Sequence, residues 1–346
     1  MKVCVFGGNG FVGSAVARKA VARGWHVVSV SRSGTPFATP AGHTPSWVNE
    51  VEWRKGSPFD PATYDSVLGS CDALVSTLGT LFETTYKDKG VAKPLSVLKA
   101  LAENLTGSRG NPLARDGRER SYERLNRDSA LALFDAFHSS RSPSSSSLLA
   151  PSPFVFISAE DIFRPFVPAR YIQTKRQAEA EIWRRACGAP AGAEGGGAAA
   201  GIESSVRPVF VRPSLMYHPH LNPPSTLPAT LLEATSHLHA LVPPSLHLLP
   251  QAPSPLPNSA PSLNNTDPAA TQLPSALTSL SSLLSIPPIH VDAIGEAVCR
   301  AIADEHTRGV VDVGAMRDML GFDALGWGGS GAGKGRRTRS EAGPAA

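Results

Sequence analysis

A doubly wound α/β architecture, in which a parallel sheet carries a small C-terminal lobe and disordered inserts, is predicted by three observations on this 346-residue sequence. The opening segment VCVFGGNGFVG, residues 3–13, runs an apolar stretch into glycines at three-residue spacing, Gly7, Gly10 and Gly13. Apolar runs then alternate with helix-like stretches through the first half of the chain, the pattern that produces parallel strands joined by crossover helices. Finally, the length allows a full core with room for one large domain and a lobe.

The elements follow in order. A first strand covers Val3, Val5 and Phe6, the glycines make the turn, residues 14–23 form a helix and residues 26–31 a second strand. A short third strand is expected at 51–54 and a short helix at 64–68. Residues 73–78, ALVSTL, read as a buried fourth strand ending at Gly79. Helices are expected at 95–105 and 122–137, the second with Leu125, Ala130, Leu133, Phe134 and Phe137 at helical spacing. A fifth strand at 154–157, a helix at 171–185 and a sixth strand at 209–211 complete the alternation. Low-complexity stretches at 138–153 and 188–205 read as disordered surface inserts. Residues 1–216 are therefore expected to form the sheet domain, and 217–326 a small lobe with a Pro/Ser-rich insert and helices around 229–241 and 273–284. Residues 327–346 read as a Gly-rich, basic, disordered tail.

Composition excludes several classes. With 33 basic and 29 acidic residues the net charge is +4, and no basic block of nucleic-acid type is present. Cys4, Cys71, Cys187 and Cys299 are scattered without a CxxC and read as reduced thiols. The ten histidines form no metal-ligand spacing, so no metal is expected. No apolar run reaches membrane-spanning length; the Leu-rich region 227–249 is broken by Pro228, Pro243 and Pro244. The first strand begins almost at Met1, so neither a signal peptide nor a cleavable Arg-rich presequence is expected.

The strand ends carry the candidate site, since ligands in open α/β sheets lie beyond the carboxyl ends of the strands. A glycine turn between a strand and a helix suits a dinucleotide pyrophosphate at the helix N-terminus, which makes Gly7, Gly10, Phe11, Val12 and Gly13 candidate contacts. The second strand ends Ser31–Arg32–Ser33, where an NAD-selective site would place an acidic residue. Arginine and serine there suit a 2′-phosphate and favour NADP(H), with NAD the alternative. Asp60 is a candidate near the adenine, and Leu78 and Gly79 offer backbone along the dinucleotide's path. Tyr171 and Lys175 are four apart on one helix face, where a lysine could lower a tyrosine's pKa and bind a ribose while the tyrosine moves a proton. A solvated helix face would show the same spacing. Ser158 could orient a carbonyl and Glu160 or Asp161 move protons; the same residues also suit a helix start.

GGNGFVG, Asn126-x-x-Ser129-Ala130, Tyr171-x-x-x-Lys175, Arg212-Pro213-x-x-x-Tyr217 and His290-Val291-Asp292 occur in this order and together resemble an extended or atypical short-chain dehydrogenase/reductase, a Rossmann family. Longer strings narrow the likeness: SVSRSGTPF (29–37), GNPL (110–113), ISAEDIFRPFVPARYIQTKRQAE (157–179), RPSLMYHPH (212–220) and IPPIHVD (286–292). They are similar to fungal mitochondrial NAD-dependent epimerase/dehydratase-like proteins tied to coenzyme Q (ubiquinone) biosynthesis, and in turn to the dehydrogenase-like accessory subunit of respiratory complex I. The resemblance implies Arg212 and Pro213 as further cofactor-facing residues. It also implies a location on the matrix side of the mitochondrial inner membrane, and association with the quinone-synthesising complex or another inner-membrane assembly. A quinone or prenyl lipid is the implied ligand, and Leu227, Leu231, Leu232 and Leu241 could line its groove or form the buried face of a helix. The chain departs from active relatives at Ala159, where they carry a catalytic Ser or Thr, at the order of Glu160–Asp161, and at His218 in place of glycine. Three readings stay open: an NADPH-dependent oxidoreductase or dehydratase-like enzyme, an inactive NADPH-binding assembly subunit, and a cytosolic nucleotide-sugar epimerase.

Overall fold

A computed structural model of the chain describes residues 1–79, 122–141, 150–162, 164, 167–187, 205–243 and 275–322. Its centre is a parallel sheet of seven strands: β1 (Lys2–Phe6), β2 (His26–Ser31), β3 (Val51–Lys55), β4 (Ala73–Ser76), β5 (Ser152–Ile157), β6 (Val206–Val211) and β9 (Gly309–Val311). They lie side by side in the order β3-β2-β1-β4-β5-β6-β9. The order reverses between β1 and β4, the switch point where doubly wound sheets bind ligands.

Period-two alternation sends each strand's side chains to two different layers. Val3, Val5, Val75, Val155, Ile157, Val209 and Val211 join a cluster with helices α1 (Phe11–Val21), α7 (Val291–Ala303) and α8 (Val313–Leu320). Cys4, Phe6, Leu74, Phe154, Phe156 and Phe210 face the other way, onto α2 (Asp65–Leu68), α3 (Ser129–Ser139) and α4 (Ala169–Cys187). Small β-branched residues suit the first layer because α1 and α7 pack closely there. A Cβ on Gly295 would lie 2.7 Å from the Ala15 carbonyl oxygen.

Six expected strands are found, β2 with the expected ends and the others differing by up to three residues. Three features differ from expectation. The C-terminal segment does not belong wholly to a separate lobe after residue 216: α7 packs on α1, and β9 pairs with β6 in the main sheet. A three-residue strand, GVV, is too short to show alternation. The lobe proper comprises a two-stranded ribbon of β7 (Met216–Tyr217) and β8 (Ile289–His290), with α5 (Thr226–Leu241) against α6 (Ala276–Ser285).

The helix expected at 122–137 is two pieces, a wide π turn at Glu123–Asp128 running into α3. Ser129 Oγ donates to the Leu125 carbonyl at 2.8 Å, and Asn126 is fully buried inside the wide turn. The insert expected at 138–153 is also shorter, because α3 extends to Ser139 and β5 starts at Ser152. The helix expected at 95–105, the GNPL string and the tail at 327–346 lie outside the described residues.

Candidate functional site

The glycine turn is assembled by backbone alone. Gly7 holds φ +86°, and its N–H donates to Val30 at 2.8 Å, so the chain leaves β1 across the end of β2. Gly10 N–H then donates to the Gly7 carbonyl at 2.8 Å and caps α1, and among the described residues no side chain bonds the first-turn N–H groups and no acidic residue lies in that turn. Those N–H groups, including Phe11, Val12 and Gly13, are the donors that an anion at a helix N-terminus would use. A Cβ on Gly13 would stand 2.1 Å from the Gly7 oxygen, so any larger residue drives helix and turn apart.

At the end of β2, Ser31 Oγ accepts the Gly34 N–H at 3.1 Å and Asn9 Nδ2 donates to Ser33 Oγ at 3.3 Å. The glycine turn and the Ser31–Ser33 loop are thereby tied together. Arg32 is exposed, with no ion pair or hydrogen bond among the described residues. Asp60 sits in a tight exposed turn whose backbone bonds to Ser57 and Thr63, one strand further from the switch point.

The β4 end joins this turn to the second half of the site. Thr77 Oγ1 donates to Phe6 at 2.7 Å and lies where a Gly7 Cβ would be. Leu78 gives its carbonyl to Lys175 Nζ at 3.0 Å, and Ile157 gives another at 2.8 Å. A Cβ on Gly79 would meet both Lys175 Nζ and Asn126 Oδ1 at 2.8 Å, so glycine here leaves the lysine and the asparagine uncovered. Lys175 is 2% exposed, with Nζ 4.5 Å from the Phe156 ring centroid. Burial lowers its pKa to about 7, against the pull of Glu179 in the other direction.

Tyr171 sits one turn earlier on α4, edge-on to Tyr122 with centroids 6.4 Å apart. Burial pushes its pKa up to about 12, Tyr122 adds to the rise and Arg176 opposes it. The expectation that Lys175 lowers this tyrosine's pKa is therefore corrected. The ammonium is turned to two carbonyls, and the phenol keeps its proton at neutral pH.

Ser158 is buried, and its hydroxyl helps to hold the Glu179 carboxyl low, while Ala159 next to it brings no polar group. Asp161 is not free to move protons, because Arg164 clamps it through two 2.8 Å bonds and ties the loop to α6 through Ser279. Burial raises the pKa of Glu160, opposed by Arg176 and Arg212. Arg212, expected to face a cofactor, is buried and bonded by two nitrogens to Glu179. The neighbouring Pro213 takes the Glu160 N–H on its carbonyl at 2.9 Å. Burial works against ionisation of Glu179, but Arg212 and Arg176 overcome it and hold the carboxyl at about 2. Glu179 was not anticipated, although it stands four residues beyond Lys175 and continues the Tyr171–Lys175 spacing.

His218, His290 and Asp292 come together in the lobe, with ligand-type atoms within 4.8 Å of one another. Sequence spacing hides this, since the β7–β8 ribbon makes the contact. Each imidazole Nδ1 accepts backbone N–H bonds, from His220 and Leu221 in one case and from Asp292 in the other. That pattern puts the ring proton on Nε2, and Arg18 already pairs with Asp292. The group thus acts as backbone caps and an ion pair. On α5, Leu227, Leu231 and Leu241 are exposed, which corrects the buried-face alternative for them. Leu227, Pro228, Leu231 and Ala234 line an open groove of about 670 Å³.

No family model matches the chain. It is 32% identical over 225 residues to MIOREX complex component 2 of Saccharomyces cerevisiae, across 64% of this chain and 74% of that protein. An uncharacterised chloroplastic protein of Arabidopsis thaliana is 46% identical over 78 residues, 22% of this chain and 24% of that one. Among solved structures, MoeE5 in complex with UDP-glucose and NAD aligns at TM-score 0.47 and 13% identity over 94% of this chain and 82% of that one. UDP-glucose 4-epimerase of Thermus thermophilus with NAD aligns at 0.43 and 14%, over 94% and 83%.

Proposed function

We propose that this chain, which belongs to the atypical short-chain dehydrogenase/reductase family, binds NADP(H) along the glycine turn and the Lys175 face and supports coenzyme Q production in mitochondria. The observation that carries the reading is the continuous path from Gly7 through Thr77, Leu78 and Gly79 to Lys175. The uncapped α1 N-terminus would take the pyrophosphate, Arg32 and its serines the 2′-phosphate, and Lys175 the nicotinamide ribose. A bound nicotinamide supplies hydride chemistry; the residues of this chain hold and orient it. Tyr171, protonated well past neutral pH, is suited to give a proton to a substrate oxygen, which favours carbonyl reduction over oxidation.

An inactive NADPH-binding subunit is the second reading, favoured by Ala159 and by the clamped Asp161. A component role in an assembly on the matrix side of the inner membrane fits either reading, as does a prenyl-lipid ligand in the α5 groove. Nicotinamide fluorescence with the purified chain tests the shared part: micromolar NADPH binding, weakened selectively in Arg32→Ala, is expected, and no binding of NADPH or NADH would overturn it. Tyr171→Phe then separates the two readings. Loss of quinone in cells with NADPH binding intact supports the enzyme, and unchanged quinone supports the subunit.

A further inference from the structure

Tyr171, Lys175 and Glu179 follow at four-residue intervals and share one face of α4. Glu179 is fully buried, and its carboxylate is divided between Arg212, at the end of β6, and Arg176 Nη1 at 2.8 Å. Glu160, from the loop after β5, lies 3.8 Å from Arg176, and Asp312 at the start of α8 acts on Arg212 and Glu160. Of these charged groups, Glu179 is the one that acts on Lys175. Among the described residues, the other elements around the ammonium bring neutral groups: the carbonyls of Leu78 and Ile157, the Asn126 amide and the Phe156 ring.

We propose that Glu179, shared between Arg212 and Arg176, is a positioning residue that sets how much positive charge Lys175 carries at neutral pH, and through it the site's hold on a nicotinamide ribose. The proposal rests on the cofactor reading of Lys175 given above. A buried ammonium held by carbonyl dipoles is close to losing its proton, so a single neighbouring charge decides its state. Two guanidinium groups on one carboxylate divide its field. Removing one arginine releases that field towards the lysine, whereas removing the carboxylate leaves two uncompensated cations nearby. The two changes therefore act on Lys175 with opposite sign.

The test is a pH titration of the Lys175 ammonium by NMR in the lysine-labelled full chain without added nucleotide, its signal assigned by loss in Lys175→Arg. Arg176→Gln should raise the Lys175 midpoint and Glu179→Gln should lower it. NADPH affinity above the midpoint should follow, changing about tenfold for each pH unit that the midpoint moves. A purely structural role would weaken the fold in both variants and leave the midpoint unmoved or moved in one direction, which overturns the proposal. If Glu179→Gln does not fold, Arg176→Gln decides alone, and an unchanged or lowered midpoint contradicts the assignment. Midpoints that move as stated while NADPH affinity ignores both pH and variants overturn the cofactor reading instead.

Discussion

The two halves of the candidate site are built by opposite means. The glycine turn is built from backbone: Gly7 at positive φ, Gly10 as a bare cap and Gly13 pressed against the turn leave a helix N-terminus with no charged side chain in its first turn. The floor beneath Tyr171 is built from buried charge: Lys175, Glu179, Arg176 and Arg212 are held by one another and by carbonyls. A backbone site tolerates change in pH but not in side-chain size. A charged floor tolerates neither the loss of a partner nor a shift in protonation.

Perturbing each half should show that difference. The largest effect is expected from Glu179→Ala, which leaves Arg212 and Arg176 buried without their anion and should cost about 3–5 kcal/mol in chemical denaturation. Gly13→Ala comes next. Its Cβ would stand 2.1 Å from a backbone oxygen, and overpacking of this kind costs about 1–3 kcal/mol, together with loss of nucleotide binding by titration.

The pH profile sharpens the contrast further. Lys175 falls from 10.5 to about 7 on folding; between these values the unfolded chain binds the extra proton, so stability from this residue rises with pH across that window. Lys175→Met should therefore stabilise the chain at pH 7 and flatten the rise, as read by denaturation at several pH values. Glu179 behaves oppositely at the acid end. Its carboxyl drops from 4.5 to about 2, so its contribution is present above pH 4.5 and is lost as pH falls towards 2. The smallest effect on stability is expected from Arg32→Ala, within about 0.5 kcal/mol for an exposed residue, with a selective loss of NADPH over NADH affinity.

The same contrast explains what could be read from sequence. A glycine turn is local: strand, Gly7, Gly10, Gly13 and helix lie within twenty residues, and β2 followed with its ends as read. Tyr171 and Lys175 were legible through one helical turn. Their chemistry was not, because the Lys175 ammonium finds its partners at Leu78 and Ile157, far apart in the chain. Arg212 read as a cofactor contact by resemblance, and only folding shows it turned inward to Glu179. The β9 strand and the His218–His290–Asp292 group likewise depend on long-range pairing that no local period reveals.

Hydrogen–deuterium exchange of the full chain with and without saturating NADPH tests most directly whether the two halves serve one ligand. NADPH should slow exchange at the glycine turn, residues 7–13, and at the Asn126 turn and first half of α4 together. Protection confined to one half, or to neither, would contradict the account.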